Sequence, residues 1–387
     1  MKNDQLLINR YIVNTYPNRQ LTINHGKGVY LYDDDGIKYL DMMSNYGVNI
    51  FGYNHKDISK SLNSQILTLI NLHGSFNNKI RMLASKELIK RCGQSYYKVY
   101  WSNSGSEAIE AALKFAVLTT QKKRFIVCSH AYHGKTLGAL SATSGEKYRA
   151  PFMPLLWEFV RIPYNDASSL EQLIDNNTAG FIVEPIQGEG GILIPHQNYL
   201  KKVEHICVRK GILLILDEIQ TGTGRTGYFL ASQENNIKGD IVCLGKGISG
   251  GLPIGITIVN KKIAKRIPKN SHTSTFGGNP LTCTATLETL RLLTESRLKR
   301  NLYLGNFFVE QLSCIKSHLI KQVRGRGLMI GIEVTDKRNE ILKLFQLNRV
   351  LVIPAGENVI RFLPPYIINK KHIMAIIKCT QKIFSNI

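Results

Sequence analysis

The sequence predicts an α/β protein, a largely parallel β-sheet covered on both faces by helices. Short, almost wholly apolar runs recur at residues 98–101, 125–129, 180–186, 212–219, 240–244 and 256–260. Between most of them lie amphipathic helical patterns, for example 107–119 and 197–210. Continuous apolar strands alternating with helices are the signature of a sheet buried on both sides. Ligands of such sheets gather beyond the carboxyl ends of the strands, so residues just past those ends are the candidates for chemistry.

In chain order, residues 29–32 and 38–42 alternate in polarity around Asp34, Asp35 and Gly36, which predicts a small β meander in a minor domain or lid. Apolar spacing turns helical over 58–72 and again over 80–91. The strand and helix alternation follows. From Pro280 the pattern is helical through 292 and on to about 318, then gives strands at 327–334 and 350–354, the segment NVIRFLPP and a final helix from Lys370. A break near 277–280 suggests three stretches: 1–55 as the N-terminal part of a small domain, 56–278 as a large domain and 279–387 as the C-terminal part of the small one.

The 387 residues, 43% hydrophobic and 20% charged, are ample for a buried core. The opening MKNDQLLINR lacks the apolar run of a signal peptide, and no segment is long and apolar enough to span a bilayer, so a cytoplasmic protein is expected. Seven scattered cysteines with no CxxC pair imply reduced thiols and no zinc site. The net charge of +22 admits a nucleic-acid binder, an acidic protein partner or a lysine-rich proteome. Nucleic acid is disfavoured: the basic stretches are not interleaved with aromatics, and no zinc-finger, basic-zipper or RNP signature is present.

Several strand ends carry chemistry. Lys246, between Gly245 and Gly247 after the run 241–244, is placed to lose its water; desolvation lowers an amine's pKa, and a neutral amine forms a Schiff base with an aldehyde. A solvated loop lysine is the plain alternative. Asn103 to Glu107, NSGSE, opens a helix, where free amides suit a phosphate, although an ordinary N-cap reads the same. Asp217 ends ILLILD and needs a cationic partner, such as a protonated pyridine nitrogen. No GxxxxGK[ST] loop supports a nucleotide reading. Beyond these, EPIQGEGG offers Glu189 to an arginine, AYHGKT offers Tyr132 to a flat ring, and Arg361 offers a fork to a carboxylate. His133, without a second ligand nearby, is a poor metal ligand.

Together NSGSEAIEAALKFA, EPIQGEGG, LLILDEIQTGTGRTG, DIVCLGKGISGGLPIG, STFGGNPL and VRGRGLMIGIE resemble the class III, pyridoxal-phosphate-dependent aminotransferases over residues 21–362. Within that family the chain is similar to the acetylornithine branch. EKYRAPFMPL, IPYND and VIRFLPP liken it to the carrier-protein-linked aminoadipate-semialdehyde or ornithine aminotransferases. The resemblance implies the fold-type-I architecture, a large domain with a mostly parallel sheet plus a smaller α+β domain, in a homodimer with shared active sites and pyridoxal 5'-phosphate as cofactor. It implies that Lys246 bonds the cofactor and moves the reaction's proton, and that Asp217 holds the pyridine nitrogen protonated. Gly105 and Ser106 bind the phosphate, Tyr132 stacks on the ring, Gln220 lies near the phenolic oxygen, and Thr275 reaches the phosphate of the other subunit. Arg361 takes the α-carboxylate of glutamate, and Glu189 masks it when an ω-amine is bound.

The reaction so implied moves the terminal amino group of an N-blocked ornithine or lysine to 2-oxoglutarate, in arginine or lysine biosynthesis. If the block is an acidic amino-group carrier protein, the basic surface aids docking by steering. The chain departs from the family at YHGKT. Lys135 stands where an arginine is usual, so a point charge replaces a bidentate fork for the substrate's far carboxylate. The alternatives are an ornithine or 4-aminobutyrate aminotransferase and, from another class, a basic non-catalytic scaffold or nucleic-acid-binding protein.

Overall fold

The computed structural model describes residues 2–387, with side chains described from residue 7 onward. The expectation about the chain's opening residues therefore falls partly outside the described residues. Three strands come first: β1 (Ile23–Lys27), β2 (Tyr30–Asp33) and β3 (Lys38–Asp41) form an antiparallel meander. Next come β4 (Lys98–Ser102), β5 (Arg124–Cys128), β6 (Glu158–Ile162), β7 (Thr178–Val183), β8 (Leu213–Asp217), β9 (Ile241–Gly245) and β10 (Gly255–Val259). These seven make one sheet in the order β4-β10-β9-β8-β7-β5-β6. All its pairings are parallel except those of β10, which runs against both neighbours.

Every residue of β7, β8, β9 and β10 is buried, as a sheet covered on both faces requires. On one face lies the helix Gly105–Thr120. Its Ala108, Ala111, Ala112 and Ala116 are fully buried, and these small side chains let it sit close to the sheet. At that contact the Thr257 hydroxyl donates to the Ala108 carbonyl at 2.8 Å. The helix starts at Ser104, whose hydroxyl accepts from the Glu107 amide at 3.2 Å. It stops at Gln121, which turns left-handed at φ +60°.

The remaining strands are β11 (Ile320–Arg326), β12 (Met329–Val334), β13 (Val350–Leu351), β14 (Ile353–Ala355) and β15 (Val359–Phe362). An antiparallel sheet in the order β11-β12-β15-β14 carries Arg361. β13 instead pairs in parallel with β3, so the C-terminal region completes the N-terminal meander. Leu40 accordingly donates to the Arg349 carbonyl and Met42 to that of Leu351, both at 2.9 Å.

Some boundaries differ from the sequence reading. The helix expected over 58–72 is Lys56–Ile66; in its last turn the buried Gln65 side chain donates to the Leu69 carbonyl at 2.7 Å, where the chain has left the helix. The helical stretch expected from 280 to 318 is two helices, Pro280–Leu292 and Glu295–Ser313. Thr294 restarts the second by accepting from the Arg297 amide. Strands β6 and β11 carry no clear signal in the sequence, since neither alternates cleanly in hydrophobicity. All seven cysteines are free, and no helix among the described residues is long and apolar enough to cross a membrane.

Candidate active site

Three neighbouring parallel strands end at one cavity of about 630 Å³. Asp217 is the last residue of β8, Lys246 follows β9 and Glu184 follows β7. Lys246 leaves the strand at φ +48° and begins a short 3-10 turn, which directs it into the cavity with Asp217 and Glu184. Burial pushes the Lys246 ammonium below its ordinary pKa and Arg361 adds to this, against the opposing pull of Asp217, Glu184 and Glu189.

The adjacent pair Asp217 and Glu218 divides its work, because successive strand residues face opposite ways. Glu218 is fully buried away from the cavity, accepting from the Thr221 hydroxyl and the Ala231 and Ser232 amides at 2.5, 3.0 and 2.8 Å. Asp217 faces the cavity with 4% of its surface exposed. Its Oδ2 lies 2.7 Å from His133 Nδ1, and its Oδ1 accepts from the Ile219 amide at 3.1 Å. Burial opposes a proton on His133, but the hydrogen bond to Asp217 and the charges of Asp217 and Glu184 outweigh it, and the imidazole pKa is raised. Burial raises the Glu184 carboxyl to about 7, against the pull of His133 and of the Tyr132 and Gly188 amides.

Opposite these groups, the start of the helix Gly105–Thr120 presents Ser104, Gly105 and Ser106 to the cavity. The N-cap reading of NSGSE is seen here, and the same helix start faces the cavity. Ser104 caps the Glu107 amide, and Glu107 returns to the Asn103 amide at 2.6 Å, while Gly105 and Ser106 sit in the first turn at the cavity wall. A Cβ on Gly105 would come within 2.9 Å of Ile219, and one on Gly134 would collide with Ser106. The cradle therefore keeps its shape only with glycine at both positions.

The Tyr132 ring and the side chain of Gln220 complete the wall. Burial pushes the Tyr132 hydroxyl up to about 12. Arg361 is fully buried; its Nη2 donates to Glu189 Oε2 at 2.8 Å and to the Pro354 carbonyl at 3.2 Å, and its Nη1 to Gln220 Oε1 at 3.2 Å. Lys135 also lines the cavity. Thr275 is outside it and exposed. The structure thus gathers nine of the ten sequence-derived site residues around or against one cavity and leaves Thr275 apart.

Sequence reasoning missed the role of His133, which it weighed only as a metal ligand. β5 and β8 are not neighbours in the sheet, so no spacing in the chain announces that His133 meets Asp217. Glu184 had a signal, its place at the end of an apolar run. GTGRTG is a buried turn, as its glycines suggested. Its Arg225 is fully buried, bonded to the Leu328 and Pro364 carbonyls at 3.0 and 2.6 Å and stacked on Tyr366, and this ties the large sheet to the C-terminal region.

The donor set fits pyridoxal phosphate: a glycine-shaped helix start for an anion, a buried carboxylate for a ring cation, an aromatic wall and a desolvated lysine for an aldehyde. Comparison with known proteins agrees. The family described as aminotransferase class-III matches residues 11–384. The chain is 37% identical to the acetylornithine aminotransferase of Methanopyrus kandleri over 94% of both chains. It is 41% identical to the putative [LysW]-aminoadipate semialdehyde/glutamate semialdehyde transaminase of Pyrococcus furiosus, over 92% of this chain and 93% of that one. Among solved structures, the ornithine aminotransferase of Toxoplasma gondii superposes with a TM-score of 0.95 at 32% identity, covering 100% of this chain and 95% of that one. The acetylornithine aminotransferase of Elizabethkingia anophelis does so with a TM-score of 0.88 at 30% identity, over 100% and 99%.

Proposed function

We infer from membership of the aminotransferase class-III family, to which this chain belongs, that the protein moves the terminal amino group of an N-blocked ornithine or lysine to 2-oxoglutarate. It is an aminotransferase, and pyridoxal 5'-phosphate is its cofactor. The observation that carries the substrate reading is the Arg361–Glu189 pair, a buried guanidinium already holding a carboxylate in the same cavity as Lys246.

Residue by residue, Gly105 and Ser106 hold the phosphate through their amides. Tyr132 would cover the ring, Gln220 would face its phenolic oxygen, and Asp217, steadied by His133, would keep the pyridine nitrogen protonated. The cofactor, when bound, supplies an electron sink for negative charge at the substrate carbon. Lys246 anchors it and, uncharged, takes and returns the proton at the carbon bearing the amine. With an ω-amine bound, Glu189 neutralises Arg361. With glutamate bound, the α-carboxylate takes the arginine and Glu189 swings away, so one site serves both substrates.

The same proposal has the enzyme act in the cytoplasm as a homodimer, with Thr275 reaching the partner's cofactor phosphate; its exposure on the single subunit supports this. An acidic carrier protein bearing the amine is the larger substrate that the net charge of +22 would steer. Residues 1–55 and 279–387 form the small domain around 56–278, a division supported by the pairing of β3 with β13. The test is an amino-donor panel with 2-oxoglutarate as acceptor, comparing N-acetylornithine, free ornithine, 4-aminobutyrate and carrier-linked amines. Preference for free ornithine or 4-aminobutyrate would replace this substrate reading with another.

A further inference from the structure

Among the described residues three acidic side chains line the cavity, and the proposed steps use two of them, Asp217 and Glu189. Glu184 is left without a task, although burying a carboxyl group is costly unless it is hydrogen-bonded. Its partners are two backbone amides from different loops. Oε2 accepts from the Tyr132 amide at 3.3 Å and Oε1 from the Gly188 amide at 3.5 Å. Tyr132 belongs to the loop after β5, and Gly188 immediately precedes Glu189 in the loop after β7. One carboxyl group therefore spans from the aromatic wall to the residue before the carboxylate that holds Arg361.

Further contacts join the same two loops. The Gln187 side chain, fully buried, donates to the Ser129 carbonyl at 2.8 Å. Gly190 packs so closely on His130 that a Cβ would lie 2.8 Å from the His130 carbonyl oxygen. The Tyr164 hydroxyl donates to the Pro185 carbonyl at 2.8 Å and to that of Glu184 at 3.3 Å, so the backbone of Glu184 is held as well as its side chain. Gly188 also meets Gln220, whose Oε1 would be 2.0 Å from a Cβ at that position, and the same Oε1 accepts from Arg361. The Gly188 backbone is thus confined by Glu184 and Gln220, whereas the Glu189 side chain keeps 36% of its surface exposed and has room to turn.

We propose that Glu184 is a positioning residue for the Arg361–Glu189 switch: by fixing the Gly188 backbone against the Tyr132 loop, it keeps Glu189 aimed at Arg361 and leaves the Glu189 side chain as the part that moves. This rests on the proposed function, which supplies the switch. A switch of this kind needs a fixed pivot, because a loop that is not held in place must be ordered each time the ion pair forms. With the pivot loosened, a dicarboxylate displaces Glu189 from the guanidinium more easily.

The test is a double-mutant cycle read by calorimetry on the cofactor-loaded enzyme. The probe is glutarate, a dicarboxylate with no amino or keto group to react, which must displace Glu189 to reach Arg361. Glu184→Gln keeps the size of the side chain but turns one acceptor into a donor. It should tighten glutarate binding roughly threefold to tenfold, the effect of one hydrogen bond lost from the closed switch. In the Glu189→Gln background, where no carboxylate holds Arg361, the same substitution should change the affinity by less than about twofold. Weaker or unchanged binding in the single variant, or the same gain in both backgrounds, would overturn the pivot role, since a merely structural defect acts whatever stands at position 189. If Glu189→Gln by itself did not tighten glutarate binding, the switch in the proposed function would fall, and this role with it. Melting curves check that all four proteins are folded; should Glu184→Gln not fold, Glu184→Asp, which shortens the reach to both amides, takes its place in the cycle.

Discussion

His133 Nδ1 lies 2.7 Å from Asp217 Oδ2, and both side chains are shut off from solvent at the floor of the cavity. The contact fixes which carboxylate oxygen is left to face the cavity and stops Asp217 from turning. The other ring nitrogen, Nε2, is buried without a hydrogen-bond partner among the described residues, so the imidazole is held from one side only. Asp217→Asn should lower kcat by about a hundredfold or more, because the group opposite the ring cation loses its charge. His133→Asn keeps that charge but frees the carboxylate, and a smaller fall, on the order of tenfold, is expected. Steady-state kinetics on both variants, with the pH dependence of the cofactor's visible spectrum, separates the two effects. Equal losses would contradict a positioning role for His133.

Lys246→Ala should remove the visible band of the lysine-bound cofactor and bring turnover to background, because no other amine in the cavity is as desolvated. Size-exclusion chromatography of the variant should match the wild type, since Lys246 makes no ion pair among the described residues. A fully active Lys246→Ala enzyme would overturn the assignment.

Glu184 gives the cofactor-free protein a pH-dependent stability. The folded protein holds this proton up to about pH 7, whereas the unfolded chain releases it near 4.5. Stability tied to the proton is therefore complete below 4.5 and is lost as pH rises towards 7. Glu184→Gln has no proton to lose. Its melting temperature should gain on the wild type across that window and hold a constant margin above it, as differential scanning fluorimetry at closely spaced pH values would show. A margin independent of pH would be the contrary result.

For the ion pair, Arg361→Ala should raise the KM for 2-oxoglutarate at least tenfold, equivalent to about 1.4 kcal/mol or more for a charge-assisted bond. Glu189→Gln should lower the KM for glutamate by freeing the guanidinium. Single-turnover kinetics of each half-reaction reads the two separately. Equal impairment of both half-reactions by Arg361→Ala would argue against a switch.

Lys135→Arg restores a planar fork at a position that already lines the cavity. Binding of N-acetylornithine should tighten several-fold. No change in affinity for any ω-amine substrate would remove Lys135 from the binding site.

Much of the site could be read from the chain because the parallel strands do the gathering. Asp217 and Lys246 sit at the ends of apolar runs, and in a sheet buried on both faces those ends share one edge. Groups brought in by packing between distant segments left no such trace. Arg225 is buried against Tyr366, and His133 reaches Asp217 from a strand that is not its neighbour; each depends on a fold already formed. β11 stayed hidden for a simpler reason. Its residues are half-exposed and polar, and it is a strand because β12 pairs with it.

The parallel pairing of β3 with β13 makes the meander wait for a segment that is synthesised much later. Leu40 is made well before its partner Val350. Until then the meander carries an open edge, the kind of surface on which nascent chains stick to one another. Chains that stop before β13 leave that edge uncovered.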